Sequence, residues 1–372
     1  MTQIDFASPT QATALALLME SATTPHELAV YRGVQTPRLL DAPAAESAAL
    51  ATGAACHDLG WLRRVEVRGE DRFRWLSGMV TNTVNDLGER AGAWNLVLNA
   101  QGRIQGDLTV WREGDTLELE IAADQHERLL AHLERFIIMD DVELVPVSGE
   151  IVIGLTGPAA DQVLERIGLP VLSEPMTSTH FEWNGMDLRI ERGYGSVAAH
   201  YALWAPEAQL AWVWKFLRTA GATPVGSASV EAFRIAEGIP AYGVDIVERD
   251  LPQETSQMRA LNFNKGCYLG QEIVERIRSR GNVHRHLRHL ELDGPAPPSG
   301  AGLILEAGSV GSVDGQIRSA AELALVSGSR NFALGMIRGE AELRNETFKY
   351  AAGTATGTAR ILTAPPSFAS TI

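Results

Sequence analysis

The densest run of chemically capable side chains is residues 262–281, NFNKGCYLGQEIVERIRSRG. Gly266, Gly270 and Gly281 bracket Cys267 and a set of polar groups. Ile273, Val274 and Ile277 fall on one face of a helix. Cys267 is therefore expected on a turn just before that helix, with Lys265 beside it. A helix N-terminus and a nearby cation both lower a thiol pKa, which makes a cysteine a nucleophile or a metal ligand. The opposing reading is a small buried hydrophobe, a common state of a lone cysteine. The local pattern leaves both open.

Other groupings carry less. His284, His286 and His289 lie close together, and the first pair shares a face if the segment is a strand. Without a cysteine or carboxylate set beside them they read as exposed strand histidines rather than zinc ligands. No metal site is expected. Cys56-His57-Asp58 has the residue types of a triad, but adjacent residues cannot generally point into one site, so it reads as structural. Residues 308–315, GSVGSVDG, lack the Lys-Ser/Thr of a phosphate loop and read as a hairpin.

The elements that must position these groups follow a repeated order. Residues 10–20 read as a helix, while 35–58 are Ala- and Pro-rich without a clear period. Val65 and Val67 mark a strand. Gly69-Glu70-Asp71 opens a short helix with Phe73, Leu76 and Met79 inward. Strands are expected at 93–99, 104–111 and 116–121, with a turn at Gln101-Gly102. An amphipathic helix is expected over 124–138 with Leu129, Leu130, Leu133, Phe136 and Ile137 inward, then a strand at 142–147. The order repeats: a strand at 151–155, a helix from Gly157-Pro158 to about Ile167, and strands near 179–183, 187–191 and 200–204. A helix at 207–219 and an extended piece near Val225 complete it. Both segments read β-α-β-β-β-α-β, close to the split βαβ plan. After about residue 286, short apolar runs alternate with Gly, Pro, Ser and Asp, the pattern of a small antiparallel barrel or sandwich. The tail, TAPPSFASTI, reads as a loose end.

The chain has 372 residues and a net charge of −14. That length allows two or three domains. The charge excludes a general nucleic-acid binder, which needs a basic surface. The two cysteines form no disulfide framework and suit a reducing cytosol. They cannot supply the four thiolates that usually hold an iron–sulfur cluster. No secretory signal and no membrane span are expected, so a cytoplasmic location is expected.

KGCYLGQE, followed by VERIRSRG and HRHL, closely resembles the KGCYxGQE signature of YgfZ-type folate-binding proteins, relatives of the glycine-cleavage T-protein. VEVRGEDRFRWLSGMVTNTVNDL, NLVLNAQGRIQGDLTVW and EAFRIAEGIPAYGVDIVERDLPQE resemble further segments of that family, in the right order over roughly 62–290. The resemblance implies an α+β fold in which two ferredoxin-like units and a C-terminal antiparallel β-barrel form a three-domain ring around a channel. The domains are then expected at 1–60 with 150–285, at 61–149, and at 286–372. It also implies tetrahydrofolate or a one-carbon derivative in that channel.

Site residues follow by the same resemblance. Asp107 matches the second aspartate of the Asp-Asp-Leu in true T-proteins, and Cys267 is the signature cysteine; these are the expected catalytic groups. The first of that acidic pair is Gly106 here. Arg234 matches an arginine near the folate and is expected to pair with the glutamate tail; the bland reading is a helix-surface arginine paired with Glu237. Glu254 fits the pattern without an evident role. Asn99 and Gln101 could present amides to the pterin edge, and Lys265, Gln271 and Glu272 complete the expected folate contacts. T-proteins carry a Gly-Tyr-Thr-Gly-Glu-Asp-Gly segment whose glutamate helps grip the pterin. The matching residues 193–200, GYGSVAAH, hold no carboxylate, and Tyr194 remains to border the ligand. These departures imply a folate-binding accessory protein for iron–sulfur protein assembly or repair, with assembly proteins or client enzymes as partners. The competing reading is a working aminomethyltransferase, and a third is a related folate-dependent demethylase domain.

Overall fold

The computed structural model describes residues 11–20, 26–281, 283–305, 313–325, 328–344 and 347–368. The chain opens with a helix, Ala14–Glu20 (α1), and a hairpin of Leu28–Tyr31 (β1) and Val34–Pro37 (β2). The Ala- and Pro-rich stretch that showed no period resolves into β2, a helix Pro43–Thr52 (α2) and a strand Ala55–Asp58 (β3). Pro43 begins α2, where its missing N–H has no intrahelical partner to lose.

The first unit contains Leu62–Arg68 (β4), Arg72–Met79 (α3), Gly92–Leu98 (β5), Ile104–Glu113 (β6), Thr116–Ala122 (β7), His126–Glu134 (α4) and Glu143–Pro146 (β8). Its sheet runs β5-β6-β7-β4-β8. Helix α4 is shorter than the expected 124–138, because the chain turns at Phe136, whose carbonyl accepts the Trp75 indole N–H at 3.2 Å.

The second unit repeats the plan with Glu150–Gly157 (β9), Ala160–Arg166 (α5), Thr177–Trp183 (β10), Met186–Arg192 (β11), Ala199–Pro206 (β12), Leu210–Thr219 (α6) and Thr223–Val225 (β13). Its sheet runs β10-β11-β12-β9-β3-β13. Here β3, which precedes the first unit in sequence, pairs antiparallel with β9, the place that β8 takes beside β4. Strand β13 then pairs parallel with β3. Helices Ser227–Glu237 (α7) and Gln271–Arg280 (α8) lead to the third unit.

That unit is a closed barrel in the order β14-β17-β16-β15-β18-β19. Its strands are Arg285–Asp293 (β14), Gly302–Leu305 (β15), Gly315–Leu323 (β16), Arg330–Arg338 (β17), Phe348–Ala352 (β18) and Ala355–Ile361 (β19), with a short helix Gly339–Glu342 (α9) after β17. Residues 306–312, most of the expected Gly-rich hairpin tip, lie outside the described residues; the flanking β15 and β16 pair antiparallel. The tail is not loose as far as Phe368. That ring packs edge-on against Phe332 at 6.0 Å between centroids and beside Phe233 at 5.9 Å.

Strand alternation decides what faces what. In the first sheet Leu108, Val110, Leu117, Leu119 and Ile121 point into a core with α3 and α4, whose Leu76, Leu129 and Leu133 meet them. Asp107, Thr109, Trp111, Glu118 and Glu120 therefore point the other way. In the second sheet Leu188, Ile190, Tyr201 and Leu203 meet α5 and α6. Arg189, Glu191, His200 and Trp204 are left on the opposite face. The two polar faces meet. Arg64 reaches Glu118 at 3.5 Å, Glu150 at 3.0 Å and Glu191 at 3.3 Å. Arg189 pairs with Glu191 at 2.8 Å and also with Glu118. The Trp204 indole donates to Glu191 at 2.9 Å, and its ring lies under the Arg64 guanidinium at 3.9 Å.

The barrel closes the ring. Leu287, Leu334 and Met336 share a core with Leu96, Leu98 and Ile104 of the first sheet. Leu323 and Phe332 share another with α2 and α7.

Arg64 and Glu191 are both almost wholly buried. Removing one partner of such a pair leaves an uncompensated interior charge. Arg64→Met is therefore expected to lower stability by about 3–5 kcal/mol, read from urea unfolding. A loss below about 1 kcal/mol, the size of an exposed pair, would show that the cluster does not hold the two sheets together.

Candidate functional site

A cavity of about 310 Å³ lies between the two polar sheet faces, within the range of small-ligand sites. The β1–β2 hairpin, α7 and the loop at 239–241 complete its wall. Much of the lining is aromatic, with Trp61, Trp94, Trp111, Tyr194 and Phe233 among its residues.

Asp107 lines this cavity, as its expected role requires. Its carboxylate accepts the Trp94 indole N–H at 3.1 Å and the Gln125 amide at 2.6 Å. Gln125 also accepts the Asp107 backbone N–H at 3.1 Å, so the side chain is fixed from two sides. Each carboxylate oxygen keeps a lone pair for a ligand donor. Gly106 is different. Alternation turns it toward α4, and a Cβ there would sit 2.8 Å from Gln125 Oε1 and 2.9 Å from Leu129 Cδ1. An aspartate at 106 would enter the helix packing, not the cavity. The missing acid at this position therefore removes no carboxylate from the cavity wall.

Tyr194 lines the cavity beside Asp107. Its ring stacks under the Arg259 guanidinium at 3.8 Å, and Trp94 lies on that guanidinium at 4.5 Å. The carboxylate missing from 193–200 has a counterpart from α7. Glu237, fully buried, accepts the backbone N–H groups of Val197 at 3.1 Å and Ala198 at 3.2 Å and meets His200 Nε2 at 2.6 Å. Glu237 lies beneath the segment, and His200 is the member that reaches the cavity.

Arg234 reaches the cavity wall, but its guanidinium is committed. It donates to both Glu231 oxygens, to the Ile239 carbonyl and to Asp245 at 2.7 Å. Its helix partner is Glu231, three residues earlier, rather than Glu237. Burial opposes its charge, yet Asp245 and Glu231 outweigh burial and raise its pKa further. Arg234, expected to pair with a glutamate tail, instead spends its guanidinium on clamping α7 to the loop that follows.

The signature segment lies outside the cavity. Cys267 is exposed and is not among the cavity residues. Lys265 donates to the carbonyls of Ser77 at 2.7 Å and Val80 at 2.6 Å, capping the C-terminus of α3. Burial pulls its pKa down to about 8. The ammonium is thus engaged by α3 rather than offered to the thiol or to a cavity ligand. Gln271 accepts the Tyr268 backbone N–H at 3.3 Å, and Glu272 pairs with Arg276 on the exposed face of α8. Asn99 uses its side-chain oxygen for the N–H groups of Gln101 and Arg103, which closes the β5–β6 loop. Gln101 is exposed. Asn99, Gln101, Lys265, Gln271 and Glu272 therefore do not line the cavity. The reason for their conjunction is packing. Gly270 has φ of +83°, and a Cβ there would lie 2.6 Å from the Asn99 carbonyl. The signature turn sits directly on the β5–β6 loop.

Several cavity groups gave no sequence signal. His57 lies on the cavity face of β3, while Cys56 points into the core. His57 and His200 share Thr156, whose hydroxyl is 3.0 Å from one ring and 3.3 Å from the other. Burial pushes His57 down to about 3, so it is neutral at pH 7. Glu120 and Glu191 both reach the wall; burial, then the Glu191 charge, push the Glu120 carboxyl well above the usual range. These residues were hidden in ordinary strand alternation. Among the other histidines, His286 pairs with Glu342 at 2.8 Å and His284 is exposed. His289 is not an exposed strand histidine: burial pushes it down to about 4. Among the described residues no cluster of three or more His, Cys, Asp or Glu could hold a metal ion. Among the described residues no helix is long and apolar enough to cross a membrane.

Residues 19–265 match the model of the GCVT N-terminal domain. The chain belongs to that family. Among curated relatives, a chloroplastic protein of Arabidopsis thaliana designated a candidate transferase is 27% identical over 78% of this chain and 66% of its own length. The aminomethyltransferase of Rubrobacter xylanophilus is 28% identical over 67% of this chain and 68% of its own. A mitochondrial iron–sulfur cluster assembly factor homolog of Pyricularia oryzae is 25% identical over 60% of this chain and 54% of its own length. The crystal structure of the glycine cleavage system aminomethyltransferase T of Bartonella henselae superposes with a TM-score of 0.83, covering 95% of this chain and 97% of that one. At 18% identity that likeness establishes a shared fold. This GCVT-family chain thus has the expected α+β architecture with a closed C-terminal barrel.

The two thiols should separate in reactivity. Burial pushes Cys56 up to about 12, and it lies in the core of the second unit. Iodoacetamide applied to the native protein between pH 7 and 9 is expected to modify Cys267 and leave Cys56 intact, read by peptide mass spectrometry. Equal labelling would mean that β3 opens readily or that the signature turn is covered.

Proposed function

We propose that this GCVT-family chain binds a reduced folate in the cavity between its two sheets and acts as an accessory protein of the YgfZ type in iron–sulfur protein assembly or repair. The observation that carries the folate reading is the cavity itself: a fixed carboxylate, Asp107, set among broad aromatic walls. A flat heterocycle rich in N–H donors fits an acceptor of that kind and faces that stack or pack edge-on.

The accessory role rests on two supports. One is the KGCYLGQE turn, whose thiol is exposed while its neighbours cap α3 and brace the β5–β6 loop. A thiol held on the outer surface is placed to meet another protein rather than the cavity's ligand. The other is the likeness to the Pyricularia assembly factor. With two cysteines the chain cannot hold a four-thiolate cluster alone, so contact with a cluster would be shared with a partner.

The second reading is aminomethyl transfer to tetrahydrofolate, favoured by Asp107 in the cavity and by the several relatives named aminomethyltransferase. Against it, no carboxylate of residues 193–200 reaches the ligand space, and Glu237 is turned to the backbone beneath. Catalysis needs a tightly positioned reactant as well as a proton-transfer group.

Calorimetry with tetrahydrofolate is expected to show one saturable site with Kd of about 1 µM or tighter, weakened in Asp107→Asn. Absence of heat with every reduced folate would end the folate reading. One-carbon transfer from an aminomethyl-loaded carrier protein is expected to be negligible. Turnover like that of an aminomethyltransferase would favour the second reading.

A further inference from the structure

Away from the cavity between the sheets, arginines gather where the barrel meets the β5–β6 loop. Two depressions there share Arg285 and form one groove. The first also holds Arg249, and the second, of about 490 Å³, holds Arg318 and Arg338. None of these four lines the cavity between the sheets. The barrel brings three of them together. Arg285 on β14 and Arg338 on β17 are direct cross-strand partners. Arg318 lies on β16, the next strand, where the pairing with β17 slips between Ile317 and Ser319. A bulge of this kind re-aims its extra side chain. Here Arg318 and Arg285 both donate to Asp250 Oδ1, each at 3.0 Å.

Like charges directly opposite on neighbouring strands destabilise a sheet. The protein's own acids offset this only in part. Asp250, fully buried, takes Arg285 and Arg318, and Glu254 takes Arg285 again at 2.8 Å. Arg249 and Arg338 are exposed, and among the described residues their side chains make no hydrogen bond or ion pair. Asp314 accepts the Arg338 backbone N–H with its carbonyl, while its carboxylate takes the Leu305 N–H at 2.9 Å. With Arg103 and Glu248 at the loop end, five arginines stand against three carboxylates. The groove thus carries a surplus of two positive charges on a chain whose net charge is −14. Arg318 is 6% exposed, and its buried Nε has no hydrogen-bond partner. Burial lowers its pKa, Asp250 opposes that, and the charges of Arg249 and Arg285 add to the lowering. An anion in the groove would relieve both the burial and the crowding.

We propose that this groove, with Arg249, Arg285, Arg318 and Arg338 along it, is a binding site for a phosphate dianion, either the free ion or the terminal group of a phosphomonoester. The surplus of two charges matches a phosphate group, which carries close to two negative charges at pH 7. The donors converge from three barrel strands and a loop, so they approach from several directions. A tetrahedral group with three or four oxygens can use such donors at once, whereas a planar carboxylate takes one guanidinium fork. Gly300 and Gly302 line the groove and add no side chain to fill it. The site shares no arginine with the cavity between the sheets and stands whether or not that cavity binds folate.

The test titrates the full chain with four probes at constant ionic strength, which holds general screening fixed. The probes are inorganic phosphate, glycerol 3-phosphate, dimethyl phosphate and p-aminobenzoylglutamate. Binding of the three phosphorus compounds is read by phosphorus NMR and that of the last by calorimetry. Wild type is expected to bind inorganic phosphate with Kd of about 1 mM or tighter. Glycerol 3-phosphate should bind at least as well; tighter binding identifies a phosphomonoester as the ligand, and equal binding the free ion. Dimethyl phosphate, with one charge and two free oxygens, should bind at least about tenfold more weakly. Arg249→Gln and Arg338→Gln remove exposed side chains that have no partner to lose, and each is checked for an unchanged thermal melt. Each is expected to weaken phosphate by about tenfold, the scale of a lost charge-assisted contact. Arg68→Gln, on β4 outside the groove, should leave phosphate affinity unchanged. Absence of phosphate binding to wild type would overturn the proposal. So would equal weakening by Arg68→Gln, which would mean a general charge effect, or dimethyl phosphate binding as well as the monoester. Binding of p-aminobenzoylglutamate that is tighter than that of phosphate and is lost in Arg338→Gln would overturn it too, because the groove would then be a carboxylate site.

Discussion

Two arginines and two glutamates, Arg64, Arg189, Glu118 and Glu191, join the two sheets where neither has helices to cover it. Each sheet must bury one apolar face, and its own two helices do that. Alternation then forces every second side chain onto the other face, and in both units those residues are polar or aromatic. Charged faces that met apolar ones would leave ions unpaired at great expense of stability. Meeting each other, they pair, and the remaining space between them becomes a polar-edged, aromatic-walled cavity. The ring of three units, and the site at its centre, depend on that pairing.

The same constraint separates the cavity from the signature turn within one chain. The cavity wall is formed by residues that alternation turns inward, among them Asp107 on β6, His57 on β3, His200 on β12 and Glu120 on β7. The thiol belongs to a turn on the outside, at the start of α8. The two are linked by packing, since Gly270 rests on the β5–β6 loop while β6 carries Asp107. Filling the cavity and presenting Cys267 can therefore involve the same hairpin without bringing the thiol near the ligand.

The architecture was largely legible in the sequence because long strands alternate and helices show apolar stripes. Asp107 and Tyr194, expected at the site from the resemblance, both line the cavity. Strand β3 was not legible, because ACHD has no alternating contrast and lies far in sequence from the sheet it joins. Glu118, Glu120, Arg189 and Glu191 look like solvent-facing residues, since a polar face reads the same whether it meets water or another polar face. Arg234 looked available because its partner Asp245 is set by a loop that no local period describes. Lys265, Gln271, Glu272, Asn99 and Gln101 were assigned to the ligand on motif grounds, whereas their contacts cap a helix and close a turn. A motif marks residues that a fold needs together, and the need here is structural for most of them.

The central claim is that the ligand lies between the sheets and the signature thiol outside. A crystal structure of the protein with bound tetrahydrofolate tests it most directly. The account predicts ligand density in the cavity, in contact with Asp107, with Cys267 touching none of it. Density on the outer loop against Asn99, Gln101 and Cys267, with the cavity between the sheets empty, would contradict it.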